Sequence, residues 1–319
     1  MKKILLPALL LILLSGCSHK GEVRSMSFVK TIGTDFTEDG IQNISLRLYD
    51  SENTLTGNGR TIFSAIENAE TSQEKTLFSG HTELFISGEG NLQENLELLI
   101  KNNRISPSCG FVCTNEKAAD ITSQDEENSL SGLIESNNRK GLILKRNIND
   151  VLDDMLGDDG MAAVPIINQQ GLGMAIIDSK GIIGTLTSDE AKGLCWLNGN
   201  IRELYIPVNT GDGMTDFFVS KSKTKLTAEA DNDSINITVE IKINGNVQNK
   251  NHNISDARRE ISDQISALCS GAIAKTVTVY GADVFGLEKC IESSGIAANA
   301  QWKDIIPKLK FFYRIKVAE

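Results

Sequence analysis

Between residues 235 and 243 every second side chain is apolar: Ile235, Ile237, Val239, Ile241 and Ile243 alternate strictly with polar neighbours. Successive side chains of a strand point to opposite faces, so this stretch demands a β-strand with one face buried and the other in water. The C-terminus repeats the pattern, with Leu309, Phe311, Tyr313, Ile315 and Val317 set between Lys308, Lys310, Phe312, Arg314 and Lys316. A half-apolar sheet has to be covered. A helix capped by Ser255 and running to about Lys275 would bury Ile261, Ile265, Leu268 and Ala272 along one side. Strands and helices kept apart in this way predict an α+β fold.

The rest of the chain alternates the two periodicities. Residues 27–35 and 41–49 read as a hairpin across Thr37-Glu38-Asp39-Gly40, and 172–177 with 182–186 as a second across Asp178-Ser179-Lys180-Gly181. Residues 224–230 and 235–247 flank a third turn, and residues 82–87 and 107–114 read as single strands. Helices are expected over 61–69, 92–102, 116–121, 130–137 and 147–156, and residues 51–59 as a polar loop. A length of 319 residues allows two or three domains of mixed or antiparallel sheets with helices packed on them. We divide the chain into a segment 1–16, a segment 17–25, an N-terminal α+β region 26–200 with a candidate break near 123–130, and a C-terminal α+β domain 201–319.

The first of those segments is a leader. Lys2 and Lys3 precede an apolar run from 4 to 14 broken only by Pro7, followed by Ser15-Gly16-Cys17. A membrane span needs ~20 apolar residues, so the run suits a secretory signal peptide instead. Small residues directly before a cysteine form a bacterial lipobox. In this reading residues 1–16 are removed, Cys17 becomes the lipidated N-terminus, and 17–25 is its tether. The mature chain of 303 residues then carries a formal charge of −12. An acidic body gains nothing from an anionic lipid surface, so the acyl chains, at ~0.8 kcal/mol per buried methylene, must do the anchoring.

The composition excludes several functions. A net charge of −10 and a pI near 5.0 oppose nucleic-acid binding, which needs a basic face for phosphates. Three histidines make a His-rich metal site hard to build. The five cysteines beyond Cys17 are odd in number, and Cys109 and Cys113, read as residues of one strand, lie too far apart to bond, so no disulfide framework is expected. His81 and Glu83 could share a strand face as a polar pair. Asp153, Asp154, Asp158 and Asp159 read as a solvated helix end, lacking the ligand order of a calcium loop. Gly171-Leu172-Gly173 opens a strand and has no third glycine at the dinucleotide spacing. His252 sits in an Asn-rich loop, and no nucleophile elbow is present. No catalytic, cofactor or metal site is expected.

Several segments, in order, resemble the Ger(x)C lipoproteins, the C subunit of GerA-type spore germinant receptors. Ile32-Gly33-Thr34-Asp35 is similar to the turn ending the family's first strand, and Gly59-Arg60-Thr61 with Ala65 to its first helix start. Leu77-Phe78-Ser79-Gly80-His81, running on to Gly88-Glu89, resembles its Leu-Phe-x-x-His strand. Residues 173–193 with Glu190, Gly193 and Trp196 resemble its central hairpin and Glu-x-x-Gly-x-x-Trp stretch. Asp283-Val284-Phe285-Gly286 and Trp302-Lys303 are similar to its late turn and final tryptophan. The family's Trp-Asp after the lipidated cysteine is replaced by Ser18-His19-Lys20. The resemblance implies a non-enzymatic subunit on the outer face of the spore inner membrane, docking two polytopic subunits, A and B, in nutrient-triggered germination. The alternative is an extracytoplasmic solute-binding lipoprotein of a transporter, which wants parallel βαβ repeats that the residue pattern does not show.

Overall fold

The computed structural model describes residues 23–318 except 52, 89, 91, 103, 126–128, 200, 211–212, 249–253 and 297–299. Cys17, the leader and His252 therefore lie outside the described residues. The architecture is α+β, built on two sheets.

The first sheet begins with the expected hairpin, β1 (Met26–Phe36) against β2 (Gln42–Leu48), joined antiparallel across the predicted turn. Its outermost strand, β3 (Thr54–Gly59), occupies the segment expected to be a loop. Sequence alone hides this strand because its glycines are poor strand formers. Their use is close approach: a Cβ on Gly57 would sit 2.2 Å from the Ala65 carbonyl oxygen, so α1 (Ile62–Glu70) lies directly on the strand. Thr61 caps α1 in a reciprocal capping box with Ser64.

The chain then adds β4 (Thr76–Phe78), β5 (Leu84–Ser87), α2 (Leu92–Asn102) and β6 (Gly110–Cys113). Strands β1, β5 and β6 run parallel, and β5–α2–β6 is a parallel crossover. Sequence reading did not mark this crossover, because four-residue buried strands are too short to announce themselves. Helices α3 (Ala118–Ser123) and α4 (Leu130–Arg139), strand β7 (Arg146–Asn147) and helix α5 (Ile148–Met155) follow. The sheet finishes with β8 (Ala162–Asn168), β9 (Gly171–Asp178) and β10 (Gly181–Leu186). Its order is β10-β9-β8-β6-β5-β1-β2-β3, with β4 added at β1 and β7 at β6. Residues on both sides of 123–130 thus share one sheet, and the link between them is pinned. Asp125, 1% exposed, accepts from Lys30 (3.0 Å), from the Thr31 hydroxyl and from the Leu130 amide (2.8 Å).

Both faces of this sheet are covered. Ile62, Ala65 and Ala69 of α1, Leu96 and Leu99 of α2, and Val151 and Met155 of α5 enclose one core with Ile32, Phe85 and Phe111. On the other face Ile121 of α3 and Ile134 of α4 meet Ile86, Val112 and Ile176. That second core runs on without interruption into the C-terminal half.

The bridge is α6 (Ser188–Asn198), capped by a Thr187–Glu190 box and ended by Gly199 in the left-handed region, φ 72°. Beyond it β11 (Leu204–Thr210), β12 (Gly213–Asp231), β13 (Ser234–Val247) and β14 (Leu309–Ala318) form the second sheet in sequence order. Ile235, Ile237, Val239, Ile241 and Ile243 are buried as the alternation requires. The last strand is tied in, parallel to β13 over ten residues. Helix α7 (Ile254–Ile273), starting one residue ahead of the expected Ser255 cap, covers the apolar face with Ile261, Ile265, Cys269 and Ala272. It continues into a π-helical stretch (Ala274–Tyr280) before the short helices α8 (Leu287–Ser293) and α9 (Trp302–Ile305).

Helices α6 and α7 cross in near contact at Gly193. A Cβ there would stand 2.0 Å from the Leu268 carbonyl oxygen and 2.9 Å from the Ala272 methyl. In an ordinary helix Gly→Ala stabilises by about 0.5–1 kcal/mol. Here the sign reverses: Gly193→Ala is expected to destabilise by about 1–3 kcal/mol in denaturant titration, and an unchanged or raised midpoint would refute the crossing.

Candidate functional site

Each segment of the resemblance that can be located serves as a joint between elements. Asp35 accepts from the amides of Ala118 (2.8 Å) and Ala119 (3.2 Å), capping α3, whose own Lys117 makes no side-chain cap. Gly33 lets that helix descend onto β1, since a Cβ would meet the Thr122 hydroxyl at 2.2 Å. Glu190 completes the α6 capping box, Gly193 makes the helix crossing, and Trp196, 1% exposed, plugs the core between the sheets. The Trp196 carbonyl accepts from the Thr224 hydroxyl of β12 at 2.6 Å. Asp283 accepts from the amides of Leu287 and Glu288 at 2.8 Å each, capping α8, while Gly286 supplies a φ of 72°. Trp302 donates its indole N–H to the Gly281 carbonyl at 2.8 Å. Sequence reading found these residues but not their work, which is to fix the shape of the body.

His81 and Glu83 do not form the polar pair expected of them. His81 lies just before β5 and stacks on Phe28, with ring centroids 6.2 Å apart, and edge-on to Phe78 at 5.3 Å. Glu83 instead accepts from the Tyr49 hydroxyl (2.7 Å) and the Ser131 hydroxyl (2.6 Å), linking β2, β5 and α4. Burial, reinforced by Glu83, keeps the Tyr49 hydroxyl protonated far above its ordinary range. The thiols are equally quiet. Cys109, Cys113, Cys195, Cys269 and Cys290 are free, and burial pushes Cys109, Cys113 and Cys269 up to about 12, which removes the reactive thiolate at neutral pH. Cys109 precedes β6 rather than lying within it.

The acidic residues at the end of α5 and just beyond it are only partly a solvated helix end. Asp153 and Asp158 are exposed, but Asp154 pairs with Arg146, and Asp159 accepts from the amides of Asp283 and Met161. The segment is therefore a fastener, tying the β8 approach of the first sheet to the Asp283 turn of the second half. Burial pushes the Asp154 carboxyl up to about 6 against the pull of Arg146. Nearby Glu288 is pushed up to about 7, first by burial and then by Asp158, Asp283, Glu292 and Asp159. Among the described residues no group of three or more His, Cys, Asp or Glu side chains is arranged to hold a metal.

The cavities match this picture. One of about 800 Å³ is lined by Ile66, Glu70, Lys75, Phe78 and Arg104; Lys75 is neutralised by Asp50, and Arg104 by Glu67. Another, about 500 Å³, is a mainly apolar groove between α6, α7 and β11 lined by Trp196, Tyr205, Pro207 and Leu268. No helix among the described residues is long and apolar enough to cross a membrane.

The fold and the leader define a class: a lipoprotein with a two-sheet α+β body. Residues 1–18 match the prokaryotic membrane lipoprotein lipid attachment site. Residues 19–169 match the spore germination protein N-terminal domain, and residues 172–318 the family described as spore germination B3/GerAC like, C-terminal. The two together span nearly all of the chain beyond its leader, and the chain belongs to the GerAC-like family of spore germination proteins. It is 22% identical over 252 residues to spore germination protein B3 of Bacillus subtilis (strain 168), covering 67% of this chain and 66% of that relative, just under two thirds of its length. The fold is that of the crystal structure of the GerBC protein, with a TM-score of 0.60, 17% identity, and coverage of 90% of this chain and 97% of that one. The two family regions part at residues 169–172, inside the β8–β9 hairpin, whereas the sheets part between Leu186 and Leu204.

The fastener gives a pH dependence. The folded-state pKa of Glu288 lies above its ordinary 4.5, so the native state holds the extra proton, and the stabilisation present below that value is lost as pH rises through about 7. Thermal stability is expected to fall between pH 5 and pH 8, and Glu288→Gln to flatten that slope. A wild-type slope retained in the variant would contradict the assignment.

Proposed function

We propose that the chain is the C-type subunit of a spore germinant receptor, held by lipid on Cys17 at the outer face of the spore's inner membrane and docking the polytopic A and B subunits there. The observation that carries this reading is collinearity: a lipid attachment match, then the N-terminal and C-terminal germination regions, follow one another through the whole chain. Supporting it, the recognisable motif residues are spent on capping and close helix contacts. A body so built presents fixed surfaces to partners rather than a reaction centre.

In mechanism, the acyl chains hold the body at the bilayer. One chain gives only marginal, reversible binding, whereas two or more anchor firmly. The single core joining the sheets makes the body one solid piece, so a partner's movement at one sheet is transmitted to the other. No step of bond making is assigned to it.

The test is fractionation. Cys17→Ala is expected to leave the body folded, with an unchanged melting profile, while blocking acylation and leader removal. Flotation of carbonate-washed membranes should then show loss of the lipid-modified form and release of the body. Resistance to that wash equal to wild type would overturn lipid anchoring.

A further inference from the structure

The acidic net charge conceals an uneven distribution. On the outer face of the second sheet, opposite the helices, three strands place their side chains in register. One row across β12, β13 and β14 reads Lys223, Lys242, Lys316, and the next reads Lys225, Glu240, Arg314. Lys221 stands beside them on β12. Six cations therefore share this grid with one acid, in a chain whose formal charge is −10. All six are exposed.

Like charges placed directly opposite one another destabilise a sheet. The row of three lysines is of that kind. Glu240 relieves part of it, binding Lys316 at 2.8 Å and Lys242 at 3.3 Å, which holds its carboxyl below the usual range. Among the described residues Lys221, Lys223, Lys225 and Arg314 have no carboxylate within ion-pair distance. These four cations are thus left to meet a partner outside the fold. Phe312, half exposed on β14 one step along the same face, adds an aromatic ring to the cations.

We propose that this face docks on the anionic headgroups of the membrane that anchors the chain. The proposal rests on the lipid-anchor reading above. A tether of residues 17–25 reaches at most ~30 Å, so the body cannot leave the neighbourhood of the bilayer. Cations on adjacent strands stand ~4.8 Å apart, and those two residues apart on one strand about 6.6 Å. That grid offers a broad array of point charges, suited to a carpet of phosphates and lacking a pocket for any single one. Phe312 supplies an apolar group able to enter the headgroup boundary beside the cations. Docking would turn α6 and α7 toward the aqueous side and leave the α6–α7–β11 groove open to partners.

The full-length lipidated chain is reconstituted in vesicles of phosphatidylcholine alone, or with phosphatidylglycerol added, and its lysines are labelled with a membrane-impermeant amine reagent. Labelling of Lys221, Lys223, Lys225, Lys242 and Lys316 is expected to slow about fivefold or more on the anionic vesicles, each surface cation contributing on that order. Lys101 and Lys180, on the first sheet and its helices, should label alike on both. About 1 M salt, with a Debye length of ~3 Å, should abolish the difference. The triple variant Lys223→Gln, Lys242→Gln, Lys316→Gln should lose it too, with a melting temperature equal to or above wild type. Equal labelling on both vesicles would overturn the proposal, as would protection that requires added polytopic subunits, since the face would then bind protein. Failure to co-float with either vesicle would instead sink the anchor reading beneath it.

Discussion

The body depends on one contact, the crossing of α6 over α7 at Gly193. Without a side chain there the two helices approach until backbone meets backbone, and everything between the sheets is set by that distance. Gly193, Leu194, Cys195, Trp196 and Leu197 are all buried in succession, so the C-terminal part of α6 is enclosed on every side. It touches the first sheet through the core that holds Ile86 and Ile176, and the second through Ile237 and Ile241. A protein interior is close-packed, and a shift at such a helix is felt on both sides. This is why two sequence regions that part at residues 169–172 make a single solid body.

Secondary fasteners reinforce the same joint from its edges. Asp159 reaches from the end of the first sheet's last helix to the Asp283 turn, and Asp283 in turn caps α8. Asp125 does comparable work within the first sheet, holding Lys30, Thr31 and the start of α4. Buried carboxylates of this kind cost desolvation, and each is satisfied by amides, a hydroxyl or a cation.

The sequence made plain whatever depends on a local period. The alternation from Ile235 to Ile243 and the helix of Leu92, Leu96 and Leu99 needed nothing beyond side-chain spacing. What stayed hidden had no period to read. Strand β8 carries Pro165 in its middle, tolerated because it meets β6 only at Cys113 and Ile166. Strand β3 is polar and glycine-rich, and the run Gly193–Leu197 of α6 is apolar all round. The lipid attachment region matched over residues 1–18 was legible because a lipobox is a contiguous pattern. The cationic grid was not, because Lys223 and Lys316 are far apart in the chain and meet only through the register of β13 between them. Net charge alone gave the opposite expectation for a lipid surface.

Docking within a receptor is the function proposed for this solid body. Affinity capture of the tagged full-length chain from the inner membrane of spores, with mass spectrometry of what accompanies it, tests that claim most directly. Two polytopic membrane proteins in constant proportion to the chain are expected. Recovery of a transporter permease with its ATPase instead would contradict it and return the chain to solute binding.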